Sequence, residues 1–194
     1  VAAQLLNGMG FKEVINMTGG IKAWDSNTAI GPEDLGLTLF TGKESPEETL
    51  IVAYSMEKGL MEFYLSMVPK VTNDDTRKVF EKLATIEVKH QERLLAEYHR
   101  ISGSAESRDD FEERLVAPAM EGGLTTEEYI DRYRPDLNVV VEVVSLAMAI
   151  EAQALDLYQR AADRSDTEAS QSVLIDIANE ERAHLKQLAA LLDA

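Results

Sequence analysis

The 194-residue chain contains no cysteine. Within these residues that absence excludes disulfides, thiolate-bound zinc, iron–sulfur centres, a rubredoxin-type iron and a thiol nucleophile. Aromatic residues are scarce at 6%, and the 45% apolar fraction is carried mostly by Leu, Ala, Val and Met, a composition that suits helices. Positive charge is also scarce: 19 Lys and Arg stand against 35 Asp and Glu, a formal net charge of −16. Such a balance sets the chain against nucleic acid or an anionic membrane as a partner. No apolar run approaches the roughly 20 residues of a membrane span, and no signal peptide opens the chain. The expectation is a soluble, cytoplasmic protein.

The sequence divides into residues 1–36 and 37–194. Near the start, Phe11–Met17 alternates as a strand does, between two short helical patterns and before a turn at Thr18-Gly19-Gly20. This is a small α/β remnant with no visible partner strand for its ladder. Ala2, Ala3 and Leu5, then Gly10-Phe11-x-x-Val14, then Gly19-Gly20-Ile21-x-Ala23-Trp24 resemble the C-terminal end of a rhodanese domain, with Trp24 packing the remnant. That resemblance implies a catalytic cysteine loop upstream of this point, so the expected context is a longer fusion with a rhodanese-like sulfurtransferase. Sulfur transfer is not possible with the residues present. Asp25–Lys43, rich in Gly, Ser, Thr and Asn, reads as a linker.

Four helical stretches follow. Ser45-Pro46-Glu47-Glu48 combines an N-cap, a first-turn proline and a capping-box glutamate, and predicts a helix running to Val68 before Pro69. The second is predicted from Asn73 to Ile101, stopped by Ser102-Gly103. The third follows Pro135-Asp136 and runs to Ala162, and Ser165-x-x-Glu168 is expected to cap a fourth reaching nearly to Ala194. Ser104–Pro135 is a long connection with room for one or two short helices, one of them capped by Thr125-x-x-Glu128. Two short loops and one long crossover predict an all-α, ferritin-like four-helix bundle.

Sliding the chain by 94 residues superposes the two helix pairs without a gap. Glu57 meets Glu151, Tyr64 meets Tyr158, Glu87 meets Glu181 and His90 meets His184, alongside Ala53/Ala147, Val79/Val173, Ala84/Ala178 and Leu94/Leu188. The first helix carries Leu50, Ala53, Glu57, Leu60, Met61, Tyr64 and Val68 on one face. The second carries Val79, Leu83, Ile86, Glu87, His90 and Leu94. The third aligns Val140, Val144, Ala147, Glu151, Leu155 and Tyr158; the fourth aligns Leu174, Ile177, Glu181, His184, Leu188 and Leu191. Each apolar face is thus interrupted by a carboxylate, and two faces add an imidazole three residues on, within reach of the same object.

Burying four carboxylates together without compensation costs several kcal/mol per ion. The stripes offer no Lys or Arg, so protonation or metal remains. Four Glu and two His are oxygen and nitrogen ligands suited to two iron or manganese ions. One Glu from each of two helices and a Glu-x-x-His from each of the others is the general arrangement of dinuclear carboxylate bundles.

On these residues, Ser45–Ala194 resembles the ferritin-like di-iron carboxylate family, and its rubrerythrin branch in particular. The resemblance implies Glu57 and Glu151 as terminal carboxylates, Glu87 and Glu181 as bridging carboxylates, and His90 and His184 as one nitrogen ligand per metal. It also implies that Tyr64 and Tyr158 hydrogen-bond ligand carboxylates. The implied cofactor is two iron ions, with manganese or zinc as alternatives. Rubrerythrins usually carry a further Glu three residues after the third-helix ligand, used in a redox-linked shift of iron; here that position is Ala154. They also usually carry a cysteine-ligated rubredoxin module, which this chain lacks, so electrons must come from an external donor.

The implied activity is peroxide or dioxygen reduction. A ferroxidase or iron-handling bundle and a non-enzymatic metal-binding or regulatory module are the competing readings, and a homodimer is the expected assembly. His99, without a counterpart in the repeat, is expected to serve a helix C-terminus. Met56, Met61, Met67 and Met148 are expected to fill core, Glu62 and Asp156 to lie at the surface, and Glu180 to be solvated or to support a ligand.

Overall fold

The computed structural model describes residues 36–115 and 125–192. The α/β remnant and rhodanese-like motif lie outside the described residues. After a short 3-10 turn at Leu37–Leu39, six α-helices follow among the described residues: α1 Pro46–Met67, α2 Asp74–Ser102, α3 Arg108–Glu112, α4 Thr126–Tyr133, α5 Val140–Arg164 and α6 Glu168–Leu192.

Local chemistry sets most of these boundaries. Glu48 N–H donates to Ser45 Oγ at 3.2 Å, and Ser45 N–H donates to Glu48 Oε2 at 2.8 Å, so α1 opens on the predicted capping box. It ends in a 3-10 turn, Val68–Lys70, at Pro69. The Asn73 side chain accepts from Asp75 and Thr76 N–H and caps α2. At the other end Gly103 adopts φ 68° and donates its N–H to the His99 carbonyl at 3.0 Å. His99 lies in that last turn, as expected.

Two boundaries differ from the sequence expectation. The third long helix begins at Val140, because Asp136–Val139 closes a turn through Val139 N–H and the Asp136 carbonyl. Asn138 Oδ1 there accepts from Thr72 N–H at 2.7 Å and holds the turn against the loop before α2. The cap of α6 is Thr167 rather than Ser165. Thr167 Oγ1 accepts from Ser170 N–H at 3.1 Å, while Ser165 is the extended residue that ends α5. The corrected starts sharpen the repeat: Pro46 and Val140, and the caps Asn73 and Thr167, each stand 94 residues apart.

The helices pack as two hairpins, α1 with α2 and α5 with α6, joined by contacts of α1 with α6 and of α2 with α5. The crossover spans the bundle. Phe111 of α3 packs with Tyr54 and Tyr98, near the start of α1 and the end of α2, whereas Tyr129 of α4 joins Met67, Val71 and Val143 at the opposite end. Between α2 and α5 the chain therefore returns to where α1 finished, and α5 starts from there. This is the ferritin-like bundle with one long crossover.

The apolar core falls into two clusters. One holds Leu60, Tyr64, Phe80, Leu83, Val144 and Leu188; the other holds Leu50, Ala53, Tyr98, Leu157, Tyr158 and Ile177. Each fully buried Leu or Phe contributes about 1.5–3 kcal/mol relative to exposure. Met56, Met67 and Met148 are buried, and Met61 packs against the first cluster from a half-buried position. No helix among the described residues is long and apolar enough to cross a membrane.

Candidate metal centre

The two clusters stop short of each other, and a polar layer fills the interval. Along α1 the first cluster ends at Leu60 and the second at Met56, with Glu57 between them. Along α2 they end at Ala84 and Leu94, leaving Glu87 and His90. The same break exposes Glu151 to the interval between Ile150 and Ala154 of α5, and Glu181 and His184 between Ala178 and Leu188 of α6. All six residues are 5% exposed or less.

They form two triads, Glu57–Glu87–His90 and Glu151–Glu181–His184, each with one potential ligand atom per residue lying within 4.8 Å of the others. The triads share a geometry as well as a sequence offset. His90 Nδ1 lies 2.7 Å from Glu87 Oε2 and 3.4 Å from Glu57 Oε2. His184 Nδ1 lies 3.1 Å from Glu181 Oε2 and 3.4 Å from Glu151 Oε2. The imidazoles stack, with centroids 3.7 Å apart and planes 5° from parallel. In each triad the i, i+3 spacing turns one ring nitrogen and one carboxylate toward a common point.

Metal-free, this layer is electrostatically costly. Burial pushes the Glu57 carboxyl up to about 8, against the pull of His90. At Glu151 burial acts in the same sense, but hydrogen bonds with Glu181 and His184 overcome it and hold the carboxyl below its ordinary value. Burial disfavours a charged His90, yet the Glu57 carboxylate raises it above the usual imidazole value. Equivalent positions thus hold protons unequally, as expected where carboxylates compete for too few cations. Glu57 Oε2 and Glu151 Oε2 are buried and meet an imidazole nitrogen only at 3.4 Å, a weak contact that leaves lone pairs for a cation. Four carboxylates balance two divalent cations in charge, and the mixed oxygen and nitrogen donors suit iron, manganese or zinc. The residues present fit a dinuclear metal group.

Tyr64 and Tyr158 are fully buried on opposite sides of the layer. Tyr64 packs against Phe63 and Phe80, and Tyr158 packs edge-on to Phe40 at 6.1 Å. Ala154 is fully buried in the second cluster and brings no extra carboxylate. Glu62 is exposed, and half-buried Asp156 accepts from Arg160 Nε at 2.7 Å. Glu180 pairs with Arg93 and ties α6 to α2 outside the layer.

Two buried glutamines near the layer escaped the sequence reading. Gln91 is 3% exposed and donates from Nε2 toward the Glu57 carbonyl at 3.4 Å, and Gln153 is 3% exposed two residues after Glu151. A signal existed for each. Gln91 falls four residues after Glu87 on the same face, and Gln153 is one of two polar residues in the apolar run Leu146–Leu155.

Bundle and paired triads together define a ferritin-like protein built to hold a buried carboxylate–histidine centre. The family model for rubrerythrin matches residues 48–192, and the chain belongs to the rubrerythrin family. Neither the curated proteins nor the solved structures include a significant match to the chain.

Proposed function

We propose that the chain is a non-haem di-iron oxidoreductase that reduces peroxide or dioxygen, drawing electrons from an external donor. The observation that carries this reading is the pair of buried triads facing each other across the stacked histidines. Glu57, Glu87 and His90 would hold one metal, and Glu151, Glu181 and His184 the other. Glu87 and Glu181 would serve as the bridging carboxylates and Glu57 and Glu151 as the terminal ones. With two reduced iron ions bound, such a centre would supply the two electrons that, with two protons, take hydrogen peroxide to two waters.

The protein's own share is positioning and exclusion. Tyr64 and Tyr158 orient ligand carboxylates, and the apolar clusters on either side keep bulk water from the layer. Packing along α5, buried without interruption from Leu146 to Ala154, fixes Glu151 against sideways movement. The resemblance at residues 1–25 adds a fused rhodanese-like domain to the proposal, which places the peroxide chemistry beside sulfur chemistry.

The test is an anaerobic single-turnover reaction of the reduced, iron-loaded protein. Consumption of one peroxide per two irons, with a di-iron optical spectrum on oxidation, supports this function. Uptake and release of iron well beyond two per chain, with slow peroxide reaction, supports iron handling instead. A redox-silent metal that iron cannot replace supports a structural module.

A further inference from the structure

A narrow cleft enters the polar layer between α2 and α6. Its volume is about 50 Å³, and its residues are graded by depth. Lys82 and Gln187 are exposed at the rim; Leu83, Ile86 and Leu188 form the walls, Ile86 half-buried and the two leucines buried. Glu87, Glu151 and His184 form the floor, so the cleft touches members of both triads. Gln187 and His184 also line a wider groove of about 750 Å³ on the outside of the same two helices. Groove and cleft thus share two residues of α6, but only the cleft reaches members of both triads.

We propose that this cleft is the oxidant's entrance and that Leu83, Ile86 and Leu188 act as a size filter that excludes bulky organic hydroperoxides from the centre. The inference rests on the peroxidase reading and assigns specificity to three residues outside the ligand set. Size decides it. A cavity needs about 10–15 Å³ to hold one water, whereas one of about 150 Å³ takes up benzene. A cleft of about 50 Å³ admits hydrogen peroxide or dioxygen but not an aryl group or a tertiary alkyl group. The walls are aliphatic and packed into helices, so they cannot widen without moving a helix or truncating a side chain.

Two measurements test this. In the first, the reduced, iron-loaded protein is mixed with hydrogen peroxide or with cumene hydroperoxide, before and after Ile86→Ala. The unaltered protein is expected to favour hydrogen peroxide by about 100-fold or more; Ile86→Ala narrows the ratio about tenfold by accelerating the organic peroxide alone. In the second, which needs no turnover, Leu83→Cys introduces the only cysteine in the 194 residues. Its modification by methyl methanethiosulfonate is expected to outpace that by a bulky pyrenyl maleimide far more than for a free thiol, and Ile86→Ala added to it reduces that preference. Equal rates for the two peroxides in the unaltered protein, or a ratio untouched by Ile86→Ala, overturn the filter and leave the peroxidase reading standing. Failure of both peroxides to react defeats the peroxidase reading, while size-selective labelling of Leu83→Cys still upholds the filter.

Discussion

Glu57 shows what a single position contributes to the centre. Its carboxyl has left water, faces His90 and Glu87, and titrates near 8 instead of the ordinary 4.5. The sign of the consequence follows from proton counts. Between 4.5 and 8 the metal-free folded state binds a proton at Glu57 that the unfolded chain has released, so this group's stabilisation is complete below about pH 4.5 and is lost as pH rises through about 8. A metal reverses the preference, because it requires the ionised form. Apparent affinity for ferrous or zinc ion is therefore expected to rise from pH 6 to 8 and then flatten, with proton release on binding; calorimetric titration in buffers of different ionisation enthalpy checks this. Glu57→Gln removes the titrating group and is expected to weaken metal binding at least tenfold, while raising the stability of the metal-free protein at pH 8. Its neighbour Gln91 shows why part of the site was hidden in the sequence. Periodicity within α2 puts Gln91 on the face of Glu87, but its contact with the Glu57 carbonyl depends on the approach of α1, which that periodicity does not report.

At the scale of the helix, caps and stripes were legible to different degrees. Ser45 and Asn73 announce their helices because capping is a local matter of one side chain and two N–H groups. Ser45→Ala or Asn73→Ala is expected to cost about 1 kcal/mol in urea unfolding without changing metal content. Thr167 was missed since Ser165 offers the same spacing to Glu168, and only the extended backbone at Ser165 assigns it to the end of α5. The stripes located Glu87 and His90 correctly on α2, and Val79 packs against the core as read, but Val79 and Ile86 are only half-buried while Phe80 and Ala84 are buried. Those pairs differ by one or two residues, within the width of a helical face, and the choice is made by the neighbouring helices. In the crossover, Phe111 lies between Tyr54 and Tyr98, with both centroid distances 4.9 Å, and the Tyr54 hydroxyl donates to Glu112 at 2.6 Å. No local pattern encodes that contact. Phe111→Ala is expected to cost about 3–5 kcal/mol, read as a lowered urea midpoint, with two metals still bound per chain at saturation.

For the whole molecule, the repeat is the feature that made the fold readable. A 94-residue offset matching Glu57, Glu87 and His90 with Glu151, Glu181 and His184 predicts two equivalent triads, and the bundle places them face to face across a pair of stacked imidazoles. The crossover makes that possible by returning the chain to the end where α1 stops, so that the halves approach head to tail. Because metal binds the folded layer and no preformed site exists in the unfolded chain, ligation adds to global stability by mass action, about 4 kcal/mol at a free concentration a thousandfold above Kd. Chelation is expected to lower the melting temperature, and iron or zinc to restore it. The most direct test of the centre is metal content per chain after anaerobic reconstitution, for the unaltered protein and for Glu87→Ala and Glu181→Ala. The account predicts two ions per chain in the unaltered protein and fewer than two in either variant, since each substitution removes a carboxylate proposed to bridge the two metals. Two ions retained in both folded variants, or none taken up by the folded unaltered protein, would contradict it.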